Sequence, residues 1–216
     1  MSRLETTSSV RRTDVLKASP PMFESRLLDF FSRVHPAVPP LIFVPAIVAM
    51  AVWSLGQVSL LATVGLAVGG YAIWTLFEYW LHRLVFHFEP ERGIGARMHW
   101  IIHGIHHEHP NDPMRLVMPP AVSVPLAALV FGALYLIFGR RYAPGLAVGF
   151  FTGYVVYDML HYYLHHFVPR GRLGRMLRER HLRHHFQDDT RGFGISAPYW
   201  DELFRTSPRR SSQRAD

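Results

Sequence analysis

Fourteen histidines stand in a chain of 216 residues, and every one except His35 falls between His82 and His185. They form four clusters: HRLVFH (82–87), HGIHH (103–107), HYYLHH (161–166) and HLRHH (181–185). On an α-helix, side chains three and four positions apart share a face. His103, His106 and His107 can therefore converge, as can His181, His184 and His185, and His161 with His165. His82 and His87 are five apart, and at ~3.6 residues per turn they diverge by about 140° on an ideal helix. Either they serve two different metals or one of them sits where the helix ends. Neutral imidazole binds iron, zinc, copper and nickel well. Ten or so converging imidazoles are too many for one ion at roughly four to six coordination, and they suit two adjacent ions. His35, beside a proline, reads as an isolated surface residue, and His99 and His109 are doubtful as ligands.

Other chemistries are poorly served. Cysteine is absent, which removes disulfides, thiolate metal sites and a cysteine nucleophile. The zinc-protease pattern HExxH fails, because Glu108 follows His107 but Asn111 occupies the position of the second histidine. There is no glycine-rich phosphate loop. The basic, aromatic stretch 161–210 is saturated with histidine, so no nucleic-acid partner is expected.

The elements that must position the clusters are apolar. From Leu41 to Phe77 there is no Asp, Glu, Lys, Arg or His. As helix that run would be roughly 55 Å long at ~1.5 Å per residue, against about 30 Å for one bilayer core. It fits two crossings joined near Ser54, Leu55, Gly56 and Gln57. Leu116 to Phe138 is a second uncharged run, closed by Gly139, Arg140 and Arg141. Ala143 to Tyr163 follows, apolar until Asp158 and His161. The expectation is two helical hairpins with histidines at their ends. The net charge is +7, carried almost wholly by arginine, with Lys17 the one lysine. Arginines crowd the N-terminal segment, 82–115 and 170–210 but are absent from the Gly56 turn, so these polar segments are expected on the cytoplasmic face. Residues 1–20 and 207–216 read as disordered tails. Residues 21–40 read as an interfacial helix with Arg26 and Arg33 on its polar side.

Beyond the four clusters, HGIHHEHPNDPMRLVMPP (103–120), YDMLHYYLHH (157–166) and HLRHHFQDDTRGFGISAPYWDELFRT (181–206) resemble the fatty acid hydroxylase/sterol desaturase superfamily, in particular its fatty acid 2-hydroxylase branch. The resemblance spans roughly residues 40–206. It implies an all-α integral membrane fold: four transmembrane helices in two hairpins under a cytosolic helical cap that holds a dimetal site. It implies as ligands His82, His87, His103, His106, His107, His161, His165, His181, His184 and His185, with His166 uncertain. It also implies O2-dependent hydroxylation at carbon 2 of a long acyl chain, free or in a sphingolipid, with iron in the active enzyme and zinc able to replace it. Several eukaryotic members carry an N-terminal cytochrome b5 domain. The first 40 residues are too short for one, so electrons are expected from an external cytochrome b5-like or ferredoxin-like donor with a reductase. The expected location is a bacterial inner membrane or the endoplasmic reticulum, and the arginine-rich, nearly lysine-free composition points to a bacterial source.

Two acids inside apolar helix ends are expected to be paired. Glu78 lies four residues before His82 and Asp158 three before His161, so each could accept the free N–H of a ligating imidazole. The alternative is an ion pair with a nearby arginine such as Arg83. Arg115 and the Trp200–Asp201 pair match the family pattern without an evident role; Arg115 could meet a lipid headgroup or pair with an acid. The rival readings are another membrane di-iron lipid oxidase (an acyl desaturase, a sterol-type oxidase or a carotenoid hydroxylase) and a non-enzymatic metal-binding or transport protein. The second is disfavoured because the histidines sit at helix ends, where they line no conduction path.

Overall fold

The computed structural model describes residues 11–209, and every regular element among them is helical. In chain order these are α1 (Arg12–Leu16), α2 (Arg26–Phe31), α3 (Val38–Leu55), α4 (Leu60–Leu81), α5 (Gly93–His99), α6 (Ile105–Glu108), α7 (Pro120–His166), α8 (Arg172–Phe186) and α9 (Tyr199–Leu203). Two π-helical turns, His82–Phe86 and Trp100–Gly104, interrupt the ends of α4 and α5.

Local chemistry sets the boundaries. Pro39 and Pro120 lie in the first turns of α3 and α7, where a missing N–H costs nothing. The Ser59 hydroxyl caps α4 by accepting from the Ala62 N–H at 3.3 Å. α7 is two helices joined at Gly139, whose φ of 69° and ψ of 173° no helix tolerates and few other residues adopt. The arms fold back there. Near one end of α3, Trp53 packs on Phe131 of the first arm, while Ser54 lies beside Gly145 of the second. Towards the other end, Phe43 packs on Phe151 and Tyr154.

The second arm of α7 wedges against α3 and α4 along small residues. A methyl group at Gly70 would overlap the Leu146 carbonyl, and one at Gly149 the Ala67 carbonyl, so the backbones touch. Trp74 then fills the space between the helices against Phe77, Phe150, Tyr154 and Tyr157. Small residues at crossings and large ones in the gaps are how helices associate in lipid.

Three helical segments, Val38–Leu55, Leu60–Phe86 and Pro120–His166, are long and apolar enough to cross a membrane. Their outer faces carry exposed leucines such as Leu61 (83 %) and Leu136 (86 %), and little of each apolar stretch is buried within the protein. A solvent-facing helix would carry charge there.

The remaining elements gather at the end where α4 and α7 finish. Of the expected tails, residues 1–10 and 210–216 lie outside the described residues, whereas 11–20 are described and carry α1. Residues 11–34 lie as a strap over 97–115. Asn111 N–H donates to the Leu16 carbonyl at 3.0 Å and Val34 N–H to the Met114 carbonyl at 2.6 Å. Arg115 donates to Asp29 at 2.8 Å and to the Pro20 carbonyl. It is therefore paired with an acid, and its buried guanidinium is taken up by the strap.

Candidate metal centre

The ten histidines fall into two sets of five. His82, His87, His103, His107 and His184 form the first, and His106, His161, His165, His181 and His185 the second. Within each set, one ring nitrogen per residue lies within 4.8 Å of all the others. Each HxxHH cluster is divided between them. The pairs four apart, His103 with His107 and His181 with His185, stay together, and the remaining member of each cluster, His106 or His184, joins the opposite set. The sets abut where the His107 and His185 rings stack at 4.3 Å.

His82 and His87 share a set despite their spacing of five. The backbone between them is a π-turn, in which His87 N–H donates to the His82 carbonyl at 3.1 Å. That i to i+5 bond turns both side chains inward, where an α-helix would splay them. Inserted π-turns are frequent at functional sites for this reason.

The donor set suits two ions. In the first set Nε2 of His103 is 3.2 Å from Nε2 of His82 and 3.1 Å from that of His107, and in the second Nε2 of His165 is 2.7 Å from that of His181. Two nitrogens each about 2.1 Å from one ion at a right angle lie about 3 Å apart. Nε2 of His106 and of His161 is buried without a partner among the described residues, which is costly unless something binds there.

The outer nitrogens of the two sets are treated differently. His82 Nδ1 is 2.8 Å from the Phe193 carbonyl and His184 Nδ1 is 2.8 Å from the Arg191 carbonyl. Such contacts fix which nitrogen faces inward. The chain between α8 and α9 supplies both carbonyls, and two buried carboxylates hold it. Asp201 accepts from the Phe193 and Gly194 N–H groups at 2.9 and 3.0 Å and from the Thr206 hydroxyl at 2.8 Å. Glu78 accepts from the Ser196 N–H at 2.8 Å and from its hydroxyl. Glu78 thus does not touch His82, contrary to its expected contact, because the Phe193 carbonyl already occupies His82 Nδ1. Asp158 likewise has no hydrogen bond to His161. Its Oδ2 and the Tyr154 hydroxyl are both buried without a hydrogen-bond partner among the described residues.

The other histidines lie outside both sets. His99 Nε2 is 3.6 Å from Glu89, His109 Nδ1 meets the Val15 carbonyl at 2.6 Å, and His35 Nδ1 accepts from the Ala37 N–H. The His166 ring packs on Tyr162.

Residues 67–206 match the fatty acid hydroxylase family model. A dihydroceramide fatty acyl 2-hydroxylase of Arabidopsis thaliana is 38 % identical over 93 % of this chain and 85 % of its own length. A ceramide very long chain fatty acid hydroxylase of Saccharomyces cerevisiae is 39 % identical over 88 % of this chain and 50 % of its own. The fatty acid 2-hydroxylase of Rattus norvegicus is 35 % identical over 86 % and 56 %. Among solved structures, scs7p, in which only the hydroxylase domain is visible, superposes with a TM-score of 0.83 at 32 % identity over 93 % of this chain and 80 % of that one. The chain belongs to the fatty acid hydroxylase family.

In this hydroxylase the histidine sets border a cavity of about 280 Å³. The strap roofs it with Met22, Phe23, Leu28 and Phe31, and Ile101, Leu116 and Val122 continue the apolar wall. His103 of the first set and His106 and His161 of the second complete it, with Asp158 beside them. An occupant of the cavity therefore touches both sets at once.

Burial, reinforced by neighbouring imidazoles, holds the ring of His87 down to about 3 and those of His103, His106, His181 and His185 well below the usual histidine range. They are neutral at pH 7, with lone pairs available. Each binds fewer protons folded than unfolded, so its contribution is complete above about 6.5 and is lost as pH falls from there towards the folded value. The metal-stripped hydroxylase in detergent is expected to melt highest above pH 7 and progressively lower from pH 6.5 to pH 5. A melting temperature constant across that range would refute the burial of neutral rings.

Proposed function

We propose that this chain is a multi-pass membrane enzyme that uses O2 to hydroxylate carbon 2 of a long acyl chain, free or within a sphingolipid. The observation that carries the reading is the apolar cavity walled by histidines of both five-membered sets. A methylene placed there meets the dimetal centre from the dry side. The match to named 2-hydroxylases supports the position of attack.

His82, His87, His103, His107 and His184 would hold one ion and His106, His161, His165, His181 and His185 the other, and iron bound there would supply the chemistry that activates O2. The protein's own share is binding, orientation and exclusion of water. Phe23, Phe31 and Val122 take the chain, the strap closes over it, and the buried Asp158 leaves Oδ2 without a protein partner on the same side. Residues 41–206 form the hydroxylase domain, preceded by an interfacial segment at 21–40 whose α2 presents exposed Leu27 and Phe30 to lipid. α3, α4 and the two arms of α7 would make four crossings, with the histidine cap and both termini on the cytoplasmic face, where an external cytochrome b5-like or ferredoxin-like protein delivers electrons.

Expression in a host that lacks 2-hydroxy lipids, with a competent donor system, is expected to yield 2-hydroxy fatty acids on hydrolysis of total lipid, read by mass spectrometry. New double bonds or oxygen at another carbon, without any 2-hydroxy product, would replace this assignment by a desaturase or another lipid oxidase.

A further inference from the structure

The outer nitrogens distinguish the two metal sites, and the difference leads back to residues that touch no histidine. In the first set, the outer nitrogens of His82 and His184 both meet backbone carbonyls of one short segment, at Phe193 and Arg191. In the second, Nδ1 of His165, His181 and His185 is buried with no partner among the described residues. A backbone carbonyl orients an imidazole only as firmly as its own segment is held. This segment includes Gly192 at φ +86° and has no regular structure between Gln187 and Pro198.

We propose that Asp201, aided by Glu78, is a positioning residue for the first metal site alone. Its two carboxylate oxygens clamp consecutive N–H groups, Phe193 and Gly194, and Thr206 fixes the carboxylate from the other side. Tyr79 from α4 donates to the Thr206 hydroxyl at 2.9 Å, because the Thr206 proton is given to Asp201, and this ties the clamp to the helix that leads into His82. The Phe193 carbonyl, on the residue whose N–H is clamped, then receives His82 Nδ1–H. Glu78 holds the segment three residues further on, at Ser196. Asp201 is 1 % exposed and Glu78 2 %, so neither carboxylate has water to replace a lost donor. The assignment rests on the dimetal reading above.

The variants follow from the donor count. In Asp201→Asn one oxygen becomes an NH2 that faces an N–H it cannot accept from, so one half of the clamp opens. In Gly194→Ala the added methyl overlaps the Ala197 carbonyl and lies 3.2 Å from Asp201 Oδ2, which pushes the segment away. In Glu78→Gln the Ser196 N–H keeps an acceptor and the Ser196 hydroxyl can reverse its role, so the effect is smaller.

The test is metal stoichiometry on the monodisperse fraction of detergent-purified, iron-supplemented full chain. The wild type is expected to carry two ions. Asp201→Asn and Gly194→Ala are each expected to carry one, and Glu78→Gln close to two. Asp201→Asn combined with His184→Ala should lose no more than His184→Ala alone, whereas Asp201→Asn combined with His165→Ala should retain none. Two ions kept in both clamp variants, or both ions lost from a folded fraction, would overturn the assignment. So would failure of both variants to give any folded fraction, since the clamp would then belong to the fold and not to one site. A wild type that binds no metal would instead overturn the dimetal reading itself.

Discussion

Exchange of His103 or His165 for alanine is expected to lower 2-hydroxy product by more than about a hundredfold, at or below the detection limit, with one ion lost in each case. The two residues belong to different sets, and neither set has a spare donor positioned to step in. His99 lies on Glu89 and His109 on the Val15 carbonyl, both outside the cage. On the proposed dimetal mechanism both ions serve one turnover, so His103→Ala/His165→Ala should be no slower than either single variant, the non-additivity of groups that act as one unit. His99→Ala and His109→Ala supply the contrast. Each removes an imidazole from the same stretch of sequence, and each should keep turnover within about twofold, because neither ring belongs to the cage. Product is read by mass spectrometry of hydrolysed lipid and metal by elemental analysis of the same preparations. Retention of a tenth of wild-type activity by His103→Ala or His165→Ala would remove that histidine from the cage.

How much of this was legible depended on whether a contact obeys a helical period. The pairs His103/His107, His161/His165 and His181/His185 obey it, and each stays within one set. His106 and His184 do not fall with their neighbours, because the two sets lie side by side and a helix passing between them sends adjacent residues to opposite sides. The pair His82/His87 could not be placed from spacing. A π-turn is a backbone hydrogen-bond choice favoured by what the turn packs against, here the ring of His103 between Phe86 and His82, and no residue type announces it. The outer partners were hidden for a related reason. An acid buried in an apolar helix end must be paired, and that much of Glu78 could be read, but its partner Ser196 is 118 residues away. The contacts to His82 and His184 come from backbone carbonyls, which every residue possesses. Asp201 was visible only as a match to a family pattern. The apolar runs, by contrast, specified long helices with a break near Gly56 and another at Gly139, because burial in lipid and the punctuation of glycine are both written in side chains.

The fold itself is most exposed at Gly149. Gly149→Val is expected to prevent recovery of a folded, metal-containing chain, or to lower its melting temperature by about 10 °C or more. That follows from overpacking of roughly 3 kcal/mol or above at about 2–4 °C per kcal/mol for a chain of this size. A Cβ there would overlap the Ala67 carbonyl oxygen and stand 2.6 Å from the Tyr71 nitrogen. These are backbone atoms inside a helix, so no rotamer change relieves the contact, and α4 and α7 must separate. Gly70 faces the Leu146 carbonyl in the same way from the other helix, so Gly70→Ala/Gly149→Ala should behave like the valine variant. Gly65 and Gly132 test whether helix glycines matter as such. A methyl group at either meets nothing within 4 Å, and alanine is the better helix former by about 1 kcal/mol in a helix interior. Gly65→Ala and Gly132→Ala should therefore leave the melting temperature unchanged or raise it. The consequence at the site is direct. α4 leads into His82 and His87 of the first set, and α7 ends in His161 and His165 of the second. A wedge at the crossing moves those pairs apart, so metal loss should accompany destabilisation at Gly149 and Gly70 and be absent at Gly65 and Gly132. Full metal occupancy in a stable Gly149→Val chain would show that the two helices can part without opening the cage.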